Sequence, residues 1–248
     1  MINVKTFGDY PTGDVLFASC DSKYFMEHGP AFMQSANKYK QNLHIHVVNP
    51  TDQVKDIKDK CEKFENLTFS GEQTNLDGID VRTYYACNRF IVAPYVLQYA
   101  NKAMILDVDN YLMNEWQWPD GGYDAGLFLR EPLQGVNEWE TESTHVAAGI
   151  VYLNMKRSET LSFAVDVSDR IRQAKKMIWF LDQNVLWKTY NDWKDKISFH
   201  KFERHIMDWE FKNGTMLWTG KGPRKHNDKT YVEQKNKYTK EFNESCNI

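Results

Sequence analysis

The sequence predicts an α/β fold with a mixed, mainly parallel central sheet flanked by helices, and three observations predict it. Short apolar runs alternate with longer amphipathic stretches from the N-terminus onward, the pattern of strand–helix–strand units with right-handed crossovers. The runs are too short for helices and are closed by small or polar residues. One of them, Met104-Ile105-Leu106, leads straight into Asp107-Val108-Asp109. That puts two carboxylates beyond the carboxyl end of a strand, where open α/β sheets bind ligands.

Residues 14–21 read as the first strand, with Ser19, Cys20 and Asp21 in a ligand-facing loop at its end. A helix follows over 24–39, and Gly29-Pro30 opens its main part, because proline suits a first turn. Residues 43–48 form the second strand, ended by Asn49-Pro50. His44 and His46 share one face of it; that spacing suits a metal, but a strand face packed under a helix explains them better. An amphipathic helix covers 52–64, and 67–69 is a third short strand. Residues 84–99 form a helix that carries Arg89 and that Pro94 should kink or restart. After the Asp-x-Asp strand, 116–122 is a loop rich in Trp, Pro and Gly. Two further strands, 124–130 and 146–153, flank the polar stretch 131–144, which reads as a mobile flap. Ser158 caps a helix running to about Met177. Another helix begins at Leu181, with Asp182 near its N-terminus, where a carboxylate is favoured. From Gly214 the composition turns basic, so the expectation is one domain over 1–248 with a trailing basic C-terminal segment.

The 248 residues are ample for one core, and a net charge of -3 gives no global pull toward nucleic acid or an acidic membrane. No apolar run is long enough to span a bilayer, and residues 1–6 lack the apolar core of a secretion signal. Cys20, Cys61, Cys87 and Cys246 form no Cys-x-x-Cys pair and read as reduced thiols, which points to a cytoplasmic location.

The chemistry centres on the Asp pair. Side chains alternate along a strand, so Asp107 and Asp109 point the same way, into the crevice. Two hard oxygen donors suit Mg²⁺ or Mn²⁺, which in turn binds a diphosphate. Gly220-Lys221-Gly222-Pro223-Arg224-Lys225-His226 adds a second element: glycines that let backbone N–H groups approach phosphate, with Lys221, Arg224 and Lys225 as cations. A solvated basic turn is the plainer reading of that segment by itself. The cationic excess over residues 221–240 would steer an anionic acceptor, although a solvated, partly helical tail is the simpler account. Trp116, Trp118 and Trp139 are candidates to stack on a sugar or base, against the commoner role of Trp in cores.

The order of these pieces resembles the GT-A nucleotide-sugar glycosyltransferases, and within them the glycogenin-like family 8. Four segments carry the likeness. They are Phe17-Ala18-Ser19-Cys20-Asp21, Arg89 ahead of Ile105-Leu106-Asp107-Val108-Asp109, Ala148-Gly149-Ile150-Val151-Tyr152-Leu153-Asn154, and Leu181-Asp182-Gln183-Asn184-Val185-Leu186. The resemblance implies a GT-A, Rossmann-like fold and transfer of a sugar from a UDP-sugar to an acceptor hydroxyl with retention, using Mn²⁺ or Mg²⁺. It implies donor contacts from Ala18, Ser19, Asp21, Arg89 and Asp107, with Lys221, Gly222, Arg224 and Lys225 on the diphosphate. Asp182 would accept hydrogen bonds from sugar hydroxyls, and Gln183 would face the anomeric carbon. The metal would fall to Asp107 and Asp109. Two departures stand out. Ala147 replaces the family's Asn or Ser, and Thr219 falls where the family has a metal-binding His, leaving His226 as the nearest replacement. The acceptor stays open among a glycan, a lipid-linked sugar and a modified nucleic acid.

Three rivals are weaker. A haloacid-dehalogenase-type phosphatase places its Asp-x-Asp near the N-terminus, with Thr two residues on; here that position is Tyr111. A sugar nucleotidyltransferase needs a Gly-rich basic loop, which Ser19-Cys20-Asp21-Ser22-Lys23 does not supply. A non-catalytic nucleotide-sugar-binding protein has no need to keep Asp107, Asp109 and Asp182 together.

Overall fold

The structure, a computed structural model, describes residues 5–61, 64–130 and 144–248. Its strands are β1 (Thr6–Gly8), β2 (Gly13–Asp21), β3 (Leu43–Val48), β4 (Leu67–Glu72), β5 (Ala100–Leu106), β6 (Asn110–Leu112), β7 (Ala125–Leu129), β8 (Val146–Leu153), β9 (Phe199–Lys201), β10 (Met207–Asp208) and β11 (Leu217–Thr219). The helices are α1 (Ser22–Lys38), α2 (Asp52–Lys60), α3 (Val81–Val96), α4 (Ser158–Arg172), α5 (Leu181–Trp193), α6 (Arg224–Asn227) and α7 (Lys229–Cys246). An eight-stranded sheet runs β1-β4-β3-β2-β5-β8-β7-β9. Its β4, β3, β2 and β5 are mutually parallel, while β8 is antiparallel to both β5 and β7. The expected mixed, mainly parallel sheet is therefore present.

Alternation along β2 shows how the sheet is sandwiched. Leu16, Ala18 and Cys20 pack on one side with residues of α1, α2 and α7, and Val15 and Phe17 on the other with α3, α4 and α5. From β2 the chain leaves through α1 to β3 on one flank, while β5 lies on the other. This is the topological switch point of an open sheet, and the crevice beyond it lies between the ends of β2 and β5.

Several local expectations need correction. Helix α1 runs unbroken through Gly29-Pro30, because Phe25, Phe32, Met33 and Ala36 are wholly buried and hold it against the sheet. Gly29 is required there, since a Cβ would sit 2.7 Å from the Phe25 ring. Helix α3 likewise passes through Pro94, two residues before its end. Ser158 begins α4 without capping it, its hydroxyl bonding Glu159, and the helix stops at Arg172 rather than near Met177. The expected flap lies outside the described residues, apart from Thr144 in a turn. His44 and His46 are core residues that bond Thr68 and Ser70, as a strand face under a helix requires.

The C-terminal segment is not a solvated tail. Helix α7 lies along α1 and buries Tyr231, Tyr238 and Phe242 completely. Each such burial contributes about 1.5–3 kcal/mol, enough to dock a helix with a charged outer face. The Tyr231 hydroxyl donates to the Asp109 carbonyl at 2.7 Å, and that of Tyr238 to the Leu112 carbonyl at 3.0 Å. A small second sheet, β10-β11-β6, completes the link. It pairs Thr219 with Asn110, so the Gly220 N–H donates to the Asp109 carbonyl at 3.1 Å. The basic loop is thereby carried to the Asp-x-Asp segment.

Candidate active site

A cavity of about 820 Å³ opens at the switch point, between the ends of β2 and β5, the middle of β8, the start of α5 and the loop after β11. A crevice of this size suits a small-molecule ligand. Its two charged walls are built differently.

The first wall is centred on Arg89. Its position on α3 aims the guanidinium across the sheet ends, and its side chain is 5% exposed. It donates to Asp107 Oδ1, to Asp182 Oδ2 at 3.2 Å and to the Ala148 carbonyl at 3.2 Å. Burial opposes the Arg89 charge, but Asp107 and Asp182 outweigh it and hold the guanidinium above its ordinary value. Burial raises the Asp107 and Asp182 pKa values, against the pull of Arg89. Asp107 keeps an open side toward the cavity, with 34% of its side chain exposed. Its Oδ2 lies where a Cβ on Gly149 would come within 2.8 Å, so the glycine of β8 makes room for this carboxylate.

The second wall is centred on Asp109, which the alternation rule placed facing solvent. It is buried instead, with 7% of its side chain exposed. The reason is that Asp107 and Asp109 follow the strand in a turn, where strand alternation no longer applies, and loop and helix residues close over the second carboxylate. Its Oδ2 accepts from the Tyr24 hydroxyl at 2.5 Å and from Lys225 Nζ at 3.0 Å. Lys225 also bonds the Tyr24 hydroxyl and stands 4.8 Å from the centre of its ring. Burial, with Asp109 next, pushes the Tyr24 phenol far up, so it stays protonated as a donor. Gly220 is needed here too: a Cβ would fall within 2.9 Å of the Tyr231 hydroxyl, the Lys225 Cβ and Asp109 Oδ2 alike.

Between the walls, Arg130 donates to Gln183 Oε1 at 2.7 Å and fixes that side chain. Lys221 stands 4.4 Å over the Trp209 ring, and its pKa is lowered by burial and by the nearby charges of Arg130, Arg224 and Arg204. Trp179 and Phe180 stay 56% and 43% exposed at the mouth, and Phe180 holds a left-handed backbone at φ 69° just before α5. The Ser19 hydroxyl donates to Asn88 Oδ1 at 2.5 Å.

The structure thus brings Ser19, Asp21, Arg89, Asp107, Asp109, Asp182, Gln183, Lys221, Gly222 and Lys225 to one cavity. It does not bring the others. Ala18 is wholly buried in the core under α1, because it alternates with Ser19 along β2. Asp21 lines the cavity, but its carboxylate caps α1 by accepting from the Tyr24 N–H at 2.6 Å. Arg224 turns outward to the Trp209 carbonyl at 2.7 Å. His226 is also turned away from the carboxylates: short helix α6 puts it on the side of α1, 53% exposed and 3.5 Å from Glu27. Trp116 and Trp118 pack with Tyr152 in the core, and Trp139 lies outside the described residues. Sequence reasoning missed Tyr24, Arg130, Trp209, Trp179 and Phe180. Only the last two left a signal, as adjacent aromatics just before Asp182-Gln183.

A divalent metal of the family's kind does not fit this donor set. Among the described residues no three His, Cys, Asp or Glu side chains converge. Arg89 engages one oxygen of Asp107, Lys225 and Tyr24 engage one oxygen of Asp109, and the position of the expected third ligand is the neutral Thr219, 6% exposed.

The sequence matches no family model and no curated protein. Solved structures share its fold. The galactosyltransferase LgtC, in complex with donor and acceptor sugar analogues, aligns over 94% of this chain and 95% of its own, with 14% identity and a TM-score of 0.58. The glycosyltransferase GlyE of Streptococcus pneumoniae aligns over 96% of this chain with 12% identity and a TM-score of 0.61. The bifunctional glycosyltransferase WbbM aligns over 93% with 14% identity and a TM-score of 0.58. The chain spans 63% of GlyE and 45% of WbbM. Its fold is that of the GT-A-type glycosyltransferases, as the sequence resemblance implied.

Proposed function

We propose that this chain is a glycosyltransferase that moves a sugar from a nucleotide-diphosphate sugar, with a UDP-sugar as the leading donor, to an acceptor hydroxyl. The observation that carries the reading is the pairing of two carboxylate–cation clusters across one cavity at the sheet's switch point. A departing diphosphate needs cations, which Lys225 and Lys221 supply. A sugar needs fixed acceptors and donors, which Asp182, Gln183 and Arg130 supply. Arg89 holds Asp107 and Asp182 at a set separation, so the sugar and the diphosphate meet groups that do not move relative to each other.

Retention follows most simply from attack by the acceptor on the face the diphosphate leaves. Asp182 is bound to Arg89 and Gln183 to Arg130, so neither is a free covalent nucleophile. The phosphatase alternative needs a free nucleophilic Asp, and Asp107 is held by Arg89. The acceptor class stays open among a glycan, a lipid-linked sugar and a modified nucleic acid. Among the described residues no helix is long and apolar enough to cross a membrane.

The test is incubation with UDP-, GDP- and CMP-sugars while free sugar is followed by chromatography. Slow release from one donor, lost in Asp182→Asn, is the expected result. No release from any donor, with tight nucleotide-sugar binding by calorimetry, would leave a binding protein instead.

A further inference from the structure

The donor set around Asp109 differs from a metal site in a specific way. A cation is already built into it. Lys225 Nζ lies 3.0 Å from Asp109 Oδ2, bonds the Tyr24 hydroxyl, and sits on the Tyr24 ring face. Three unrelated elements converge to place it: α1 gives Tyr24, the turn after β5 gives Asp109, and α6 gives Lys225. Gly220 lets that loop approach, since any side chain there would strike Asp109, Lys225 and Tyr231. The Lys225 side chain is 21% exposed, so one side of the ammonium still faces the cavity.

We propose that Lys225, held by Asp109 and Tyr24, is the resident cation of this site, and that a nucleoside diphosphate binds without a divalent metal. The inference rests on the donor reading above. The physical argument is one of charge. A diphosphate entering beside two carboxylates is repelled unless a cation stands between them. In a metal site a divalent ion does this, held by at least three protein or substrate groups. Here the ammonium bridges instead: two of its three N–H donors go to Asp109 and the Tyr24 hydroxyl, and it offers the third, with its charge, to phosphate on the other side. Lys221, stacked on the Trp209 ring and crowded by Arg130, Arg224 and Arg204, gives the diphosphate a second cation. Thr219 agrees with this arrangement. A metal-binding His at that position would face a site already holding an ammonium, and a neutral hydroxyl does not compete with it.

The experiment is calorimetry on the full chain stripped with EDTA, with UDP, GDP, ADP and CDP as probes, in EDTA and in excess Mn²⁺. At least one nucleotide is expected to bind in EDTA with an affinity within about threefold of that in Mn²⁺, because the bridging charge is already present. Lys225→Ala should weaken binding in EDTA by about tenfold or more, and Mn²⁺ should then restore part of it, since Asp109 becomes open to the ion. Tyr24→Phe, which keeps the ring and removes the hydroxyl, should weaken binding by only a few-fold. Thermal melts confirm that both variants fold. His226→Ala should bind like the unaltered chain. Binding that needs Mn²⁺ in the unaltered chain overturns the inference and leaves the glycosyltransferase reading standing. Lys225→Ala with unchanged affinity in EDTA overturns it as well. No binding of any nucleotide in either buffer overturns the donor reading itself, and this inference with it.

Discussion

The two carboxylates of the Asp-x-Asp pair stand one residue apart, and each is held by a cation, yet the two arrangements are not equivalent. Arg89 is buried, fixed by three acceptors, and shared between Asp107 and Asp182. Its two terminal nitrogens donate to Asp107, Asp182 and the Ala148 carbonyl, and burial makes any loss of partner costly. Lys225 is a single ammonium on a four-residue helix near the chain's end, with part of its side chain in the cavity. The first cluster is framework: it sets where Asp107 and Asp182 stand. The second can turn its charge toward a ligand without leaving Asp109 unpaired. Equal formal charge thus gives a rigid wall and an adjustable one, and the difference comes from guanidinium against ammonium and from burial.

The sharpest way to break this contrast is to remove each cation and compare. Arg89→Met should cost about 3–5 kcal/mol of stability, since it strands the buried Asp182 carboxylate and leaves half-buried Asp107 without its cation. Urea unfolding measures it, and a loss under about 1 kcal/mol would make Arg89 no more structural than a surface pair. Asp109→Asn tests the other wall. It keeps a hydrogen-bond acceptor for Tyr24 but loosens Lys225, so turnover should fall about tenfold while nucleotide affinity in EDTA changes little. A fall in affinity confined to Mn²⁺ buffer would instead mark Asp109 as a metal ligand.

Acid should pull the walls in opposite directions. His28 lies under the Lys225 wall, its ring 4.7 Å from that of Tyr24, and burial lowers its pKa to about 3. Its unfolded form takes up a proton near 6.5, so the folded state loses stability as pH falls from about 6.5 toward 3. Burial raises Asp107 and Asp182, so the folded state binds their protons more readily than the unfolded chain does. Their contribution is present below the unfolded value near 3.9 and is lost as pH rises through the folded values. Burial lowers His44 to about 3 as well, so a pH series of urea midpoints should show a slope at pH 5–6.5 of up to about two protons. His28→Gln should remove about half of it, and an unchanged slope would assign the acid sensitivity to His44.

Most charged residues of both walls were legible in the sequence, but their pairings were not. Asp107, Asp109, Arg89 and Asp182 fall at strand ends, on a helix or in a first turn, where periodicity and start signals locate them within a few residues. The pairing of Lys225 with Asp109 joins residues 116 apart, and Tyr24 with Asp109 joins residues 85 apart. Local pattern carries no such distance. The same limit hid the docking of α7, whose Tyr231, Tyr238 and Phe242 are spaced like a helix face but lie among many lysines. Conversely, Gly29-Pro30 and Pro94 sent strong local signals that packing overrode, because wholly buried neighbours hold those helices in place. Alternation failed at Asp109 because β5 ends at Leu106, and a rule for strands was extended into a turn.

The smallest expected effect concerns the cavity mouth beside the rigid wall. Phe180 occupies a left-handed conformation at φ 69°, which a bulky side chain adopts at a cost of about 1–2 kcal/mol relative to glycine. Its ring is 43% exposed and sits 5.5 Å from that of Trp179, so burial does not offset that cost. The residue leads directly into Leu181 and Asp182, and the turn it makes sets the direction in which α5 presents Asp182 to Arg89. Phe180→Gly keeps that turn at no steric cost, although glycine gains more freedom in the unfolded chain, and the two effects oppose. The net gain in stability should be about 0.5–1 kcal/mol, read as a small rise in the urea midpoint. Nucleotide affinity should stay unchanged, because the ring is at the mouth and the diphosphate cations are on the opposite wall. Donor hydrolysis should also hold, since Asp182 keeps its partner. Transfer to an acceptor is the discriminating measurement. If the two exposed rings give a sugar its stacking surface, Phe180→Gly and Trp179→Ala should each slow transfer and spare hydrolysis, a stabilised site with a weaker grip on one substrate. If both rates hold in both variants, the strained turn serves only to aim α5.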